Sequence, residues 1–230
     1  VARRLRSLVI PGLVLLAVIL VGVAVSWNHF YLLRLKAYNT PAGSMEPALQ
    51  VGDMFLAERI VPDFGATYEP VRGDIIVFDL PTNPEIPYVK RLIGLPGDRI
   101  QMRDGKVYLN GEPLRYEKSD DYVRRGPDGA IRSVPCFKEI LPGGRAYQLL
   151  DLTPEGVSDN TREFEIPEGH VFVLGDNRDN SVDSRYISRV GYVPIENITG
   201  IARRVYFSGP EESLRWRSLR PDMTEASASR

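Results

Sequence analysis

Residues 7–33 contain no Asp, Glu, Lys or Arg, and residues 8–25 are almost wholly aliphatic. About 20 apolar residues cross the hydrocarbon core of a bilayer as a helix, so this segment makes the remainder a domain tethered at its N-terminus. We assign the membrane helix to residues 8–27 and a short leading segment to residues 1–7. Pro11 and Gly12 fall in the first turns, where proline costs a helix least. Arg3, Arg4 and Arg6 precede the run, while Trp27, Phe30 and Tyr31 follow it where an interfacial aromatic belt would sit. This pattern favours a cytoplasmic N-terminus with the rest of the chain outside, although Arg34 and Lys36 reduce the charge asymmetry. The competing reading is a cleaved leader, for which Ala24-Val25-Ser26 offers small residues before Trp27; the apolar run exceeds a usual leader core.

The 230 residues suffice for one well-buried domain with a smaller insertion. Lys and Arg number 29 against 30 Asp and Glu, for a net charge of -1, which gives no global basis for nucleic-acid binding. Cys136 is the only cysteine, so no intramolecular disulfide forms. His29 and His170 are distant from it in sequence, so we read Cys136 as a structural thiol rather than a nucleophile.

Beyond Lys36, short apolar runs alternate with Gly, Pro, Asp and Asn, the pattern of strands and turns. Ile75-Ile76-Val77-Phe78, Lys106-Val107-Tyr108-Leu109, Val171-Phe172-Val173-Leu174 and residues 201–207 are strand candidates, and Asp104-Gly105 and Asn110-Gly111 are hairpin signals. The fold class is therefore mostly β. We divide the chain into a first catalytic segment at residues 28–102, a more polar and irregular inserted subdomain at 103–166, a second catalytic segment at 167–210, and a tail at 211–230. The tail carries Leu214, Trp216 and Leu219 among arginines, which suits a membrane surface, but it reads primarily as an unstructured end. Asn197-Ile198-Thr199 matches a short sequon that arises often by chance.

Three segments carry candidate chemistry. Pro41-Ala42-Gly43-Ser44-Met45-Glu46-Pro47 sets a serine in a turn whose glycine and prolines fix backbone shape and admit another chain. Tyr88-Val89-Lys90-Arg91-Leu92-Ile93-Gly94 sets a lysine in an apolar strand, where burial disfavours the ammonium and lowers its pKa. Gly175-Asp176-Asn177-Arg178-Asp179-Asn180-Ser181-Val182-Asp183-Ser184-Arg185 is a dense polar loop after an apolar strand. Its carboxylates suggest a metal, but the distal bidentate acid of a calcium loop is missing and the arginines point to internal ion pairs.

Together with Gly94-Leu95-Pro96-Gly97-Asp98, and in the same order, these segments strongly resemble the type I signal peptidase family. The resemblance implies a bacterial plasma-membrane endopeptidase with a Ser-Lys dyad and an antiparallel β catalytic domain carrying an inserted β subdomain. It implies Ser44 as nucleophile, Lys90 as general base, Ser181 as the hydroxyl orienting the lysine, and the loop pairs Asp183 with Arg185 and Asp176 with Arg91. Thr40, Pro41, Ala42, Met45, Leu49, Tyr88 and Val89 are implied as substrate-binding residues. The implied partners are signal-peptide-bearing preproteins, cut after small residues at the first and third positions before the bond, and the lipid bilayer; no cofactor or metal is implied. Ala42 departs from the pattern of many members, where a serine supplies a second oxyanion donor, and Thr40 is polar where an aliphatic residue is common. The rival readings are a conjugation or pilus-maturation peptidase with the same dyad, and a catalytically silent tethered β domain.

Overall fold

The computed structural model describes residues 22–23, 34–60, 68–80, 83–125, 129–153 and 155–223. The chain divides into two compact units, residues 1–36 and 37–230. The membrane helix assigned to residues 8–27 lies outside the described residues except for Gly22 and Val23, which are helical; among the described residues no helix is long and apolar enough to cross a membrane.

Residues 37–230 are built almost wholly from antiparallel strands. The largest sheet runs in the order Leu35–Asn39, Met54–Arg59, Ile198–Ser208, Ile75–Leu80, Asn83–Gly94, His170–Leu174 and Val193–Pro194. Strand Ile75–Leu80 is central because both its faces are apolar. Ile75 and Val77 pack with Met45, Leu49 and Phe55 on one side, while Ile76 and Phe78 pack with Leu92, Val171 and Val173 on the other. This is the period-2 alternation of a strand buried on both faces.

Three small sheets lie mainly within residues 99–166. The hairpin from Arg99–Arg103 to Lys106–Leu109 turns through Asp104 and Gly105, both at positive φ, and Asn110-Gly111 repeats this at the next corner. A turn with both central residues in the left-handed region requires such dipeptides. The second sheet orders Asp222–Met223, Arg145–Leu150, Cys136–Ile140 and Arg115–Lys118. The region is more regular than its polar sequence suggested, and its core is continuous with the main sheet: Met102, Leu141 and Leu149 pack with Ile93, Phe172 and Leu174.

The reading of the tail as an unstructured end is corrected for residues 213–223. Ser213–Ser218 pairs with Ile198–Ser208, Asp222–Met223 pairs with Arg145 and Ala146, and buried Leu219 joins the cluster containing Met45 and Leu49. Ser213–Ser218 forms a local hairpin with the strand before it, from Ser208 opposite Ser213 to Arg204 opposite Ser218, but its arginine-rich run lacks the apolar alternation that marks a strand; the partners of Leu219, Asp222 and Met223 are far away in sequence. Leu214 and Trp216 remain 80% and 67% exposed.

Candidate active site

Ser44 lies in a short 3-10 turn, Gly43–Met45, flanked by extended Ala42 and Glu46. Met45 and Leu49 anchor the turn in the core, and the polar loop clasps it from the other side. The Asn177 backbone N–H donates to the Ser44 carbonyl at 3.1 Å, and the Asn177 side-chain amide donates to the Gly43 carbonyl at 3.0 Å. Gly175 is required here by close approach: a Cβ there would sit 2.5 Å from the Ser44 carbonyl and 2.2 Å from Ser181 Oγ.

Lys90 and Arg91 point to opposite faces of strand Asn83–Gly94. The Lys90 side chain is 4% exposed, and its Nζ donates to Ser44 Oγ at 2.9 Å and to the Val89 carbonyl at 3.0 Å. Burial pulls its pKa down to about 8, against the opposing pull of Asp183 and Asp176. Arg91 forms a bidentate pair with Asp176, at 2.7 and 2.6 Å, and lies over the Tyr147 ring. Asp183 accepts two bonds from the Arg185 guanidinium, at 2.8 and 2.9 Å, one from the Arg185 backbone N–H at 3.3 Å and one from the Gly175 N–H, while Arg185 also donates to the Arg178 carbonyl. These buried pairs set the loop that holds the serine turn.

Ser181 stands differently from expectation. Its hydroxyl is buried against Gly175 and has no hydrogen-bond partner, and the Lys90 amine bonds instead to Ser44 and Val89. Cys136 is buried beside Val134 and Leu150, and burial raises its thiol pKa, opposite to what a thiolate nucleophile needs.

Thr40, Pro41, Ala42, Met45, Leu49, Tyr88 and Val89 line one cavity of about 490 Å³ with Ser44 and Lys90. The sequence did not single out Tyr38, Phe55, Ile86, Pro87 or Val182, which add to its apolar wall, or Asn39 and Asn180. Hydrophobicity alone does not distinguish a cavity wall from core. The sequence also gave no sign of the buried cluster behind the loop, where Glu139 accepts from Arg178 at 2.8 and 3.2 Å and from the hydroxyls of Tyr116 and Tyr147. Asp179 turns from the dyad and accepts from the Leu152 and Thr153 N–H groups. It also approaches Asp151 and Asp159, and after burial the charges of Asp179 and Asp159 help push the Asp151 carboxyl up to about 6.

A buried, depressed-pKa lysine at hydrogen-bond distance from a serine has the geometry that a nucleophile and its base require. An apolar cavity opening onto both can hold an extended chain with small side chains. The family model described as "Signal peptidase, peptidase S26" matches residues 10–207. Signal peptidase I of Rickettsia prowazekii (strain Madrid E) is 43% identical over 200 residues, covering 77% of this chain and 74% of that protein. Signal peptidase I of Aquifex aeolicus (strain VF5) is 37% identical over 206 residues, covering 78% of each. A crystal structure of a signal peptidase I from Enterococcus faecalis V583 shares 32% identity, covers 59% of this chain and 98% of that one, and has a TM-score of 0.34.

Proposed function

The chain belongs to the signal peptidase family, peptidase S26, and from that premise we propose that Ser44 is the nucleophile and Lys90 the general base. Its activity is that of a type I signal peptidase, a serine endopeptidase. The observation that carries the assignment is the 2.9 Å separation of Lys90 Nζ and Ser44 Oγ in a buried setting. Once the amine is neutral, the same separation lets the serine hydroxyl donate to its lone pair. Ser44 then attacks the scissile carbonyl as its proton passes to Lys90. The lysine returns that proton to the leaving amine, and an acyl-enzyme ester forms. Water deprotonated by Lys90 hydrolyses the ester and frees the leader.

The unpartnered Ser181 hydroxyl can take up the amine when Lys90 turns from Ser44 to the leaving group, which supports an orienting role. The cavity walls at Met45, Leu49, Tyr88 and Val89 suit the small side chains that flank a leader cleavage site. The chain's substrates are signal-peptide-bearing preproteins. We assign the catalytic segments to residues 28–102 and 167–210 and the inserted β subdomain to 103–166. The anchor at residues 8–27 holds them on the outer face of a bacterial plasma membrane. The test of function is cleavage of a synthetic preprotein by the full chain in detergent; Ser44→Ala should abolish it, and equal cleavage by that variant would refute the assignment.

Orientation has its own test. In sealed spheroplasts, added protease should degrade residues after Lys36 and spare the first few; the reverse pattern would overturn the topology.

Ala42 leaves the oxyanion without a side-chain donor at that position. An oxyanion donor is worth about 2.7–4 kcal/mol in the transition state, or roughly 10²–10³-fold in rate. We infer that the Ser44 backbone N–H donates to the oxyanion and that water or another group supplements it. Ala42→Ser should therefore raise kcat by only about 10-fold or less, because it replaces an existing partner, with KM little changed. Steady-state kinetics backed by single-turnover rates decide it, and a gain near the full donor value would mean that position is empty in the native enzyme.

A further inference from the structure

A second cavity, of about 390 Å³, lies behind the serine turn, against Pro47 and Ala48. Pockets of about 300–1,000 Å³ are the usual size for a bound small group. Its wall carries four cations, Arg91, Lys138, Arg217 and Arg220, against one carboxylate, Asp222. Arg91 is already matched by Asp176 and has no charge to spare. Arg217 is less well served: it donates to the Ala48 carbonyl at 2.7 Å and reaches Asp53 only at 3.3 Å. Burial and the neighbouring Arg215 lower its pKa despite Asp53, so its charge is under-compensated where it stands. Lys138 is half-buried, Arg220 is exposed, and neither side chain has a hydrogen-bond or ion-pair partner among the described residues.

Charge in this position calls for an anion with several acceptor oxygens, which matches guanidinium and ammonium donors converging from three elements. Lys138 comes from strand Cys136–Ile140, Arg217 from strand Ser213–Ser218, and Arg220 from the segment that follows it. The same strand Ser213–Ser218 that gives Arg217 to the cavity also exposes Leu214 and Trp216, an apolar residue and an indole that do not line it but lie on the strand that borders it. That juxtaposition is the chemistry of a lipid interface, where aromatic rings lie at headgroup level and basic side chains meet phosphates.

We propose that this cavity binds a phosphate group, with the phosphodiester of an anionic phospholipid as the source that the adjoining surface favours. A headgroup seated there touches Pro47 and Ala48, directly after the serine turn, and Arg91, directly after Lys90. Lipid binding would thus brace both halves of the dyad from behind.

Amine-reactive labelling of the full chain in non-ionic detergent micelles, read by mass spectrometry, tests this. Exposed Lys106 serves as the internal reference. One arm adds phosphatidylglycerol to the micelles; the other adds inorganic phosphate against chloride at matched ionic strength. At about ten times the half-saturating concentration, labelling of Lys138 should slow about ten-fold relative to Lys106. Arg220→Gln should weaken that protection. Protection by phosphatidylglycerol at concentrations where free phosphate is inert identifies the lipid source, and protection by phosphate alone identifies a soluble anion; both uphold a phosphate site. No protection in either arm, or protection unchanged by Arg220→Gln, overturns the proposal.

Discussion

Lys90→Arg should reduce turnover by about 10⁴-fold or more while leaving the fold intact. The substitution keeps a cation on strand Asn83–Gly94, but a guanidinium does not deprotonate in a protein and cannot accept the Ser44 proton. A lysine serving only as a structural cation would tolerate the change, so substantial activity in this variant would remove Lys90 from the base role. The pH profile is a second measure of the same group. With the Lys90 pKa at about 8, the wild-type rate should climb about ten-fold per pH unit below that value and level off above it. Stability should follow the same ionisation with a defined sign. Because the folded pKa lies below the ordinary 10.5, the unfolded chain holds the extra proton between those values, so stability rises with pH across that window. Lys90→Met removes the buried ammonium and should stabilise the neutral-pH protein by up to about 3 kcal/mol while abolishing activity. Thermal unfolding in detergent measures this, and a destabilised Lys90→Met protein would mean that the lysine is held by more favourable contacts than Ser44 and Val89.

Glu139→Ala should destabilise the protein by about 3–5 kcal/mol, lowering its unfolding midpoint by about 10 °C. The carboxylate is fully buried and takes four hydrogen bonds, from both ends of the Arg178 guanidinium and from the Tyr116 and Tyr147 hydroxyls. Its removal leaves the Arg178 cation in the interior without a counter-charge, which is the costly half of breaking a buried pair. The double variant Glu139→Leu with Arg178→Leu removes both charges and should lose less than the single one. Denaturant unfolding of the three proteins decides the matter. A single-variant loss below about 1 kcal/mol would show the cluster to be solvent-relieved. Activity should fall with stability, because the Arg178 carbonyl accepts from Arg185 and Asn177 next to it grips the serine turn.

What the sequence disclosed follows from the range of each interaction. Strand Lys106–Leu109 was legible to the residue because Asp104-Gly105 and Asn110-Gly111 bracket it with turns that few other dipeptides form. Ser44 and Lys90 were not legible from local pattern: a serine in a Gly/Pro turn and a lysine in a strand are ordinary. They became candidates through resemblance, and the fold brings them together across 46 residues. The cavity walls at Tyr38, Phe55 and Ile86 were missed because an apolar residue beside a cavity has the same sequence signature as one in the core. The strand at Ser213–Ser218 was missed because its pairing partner, not its own alternation, makes it a strand. The Ser181 hydroxyl was assigned a partner that the structure does not give it; such an assignment depends on a rotamer, which sequence does not carry.

The order of strands in the main sheet has a temporal consequence. Strand Ile198–Ser208 sits between Met54–Arg59 and Ile75–Leu80, so the main sheet is completed by a piece of chain made well after both of its neighbours. Ser44 and Lys90 leave the ribosome early, yet the seam that joins their strands stays open until residues past 200 arrive, and such long-range closure is slow. A growing chain that lacks residues 198–208 therefore holds Ser44 and Lys90 without the strand that joins their supports, and the arrival of that strand is what completes the sheet.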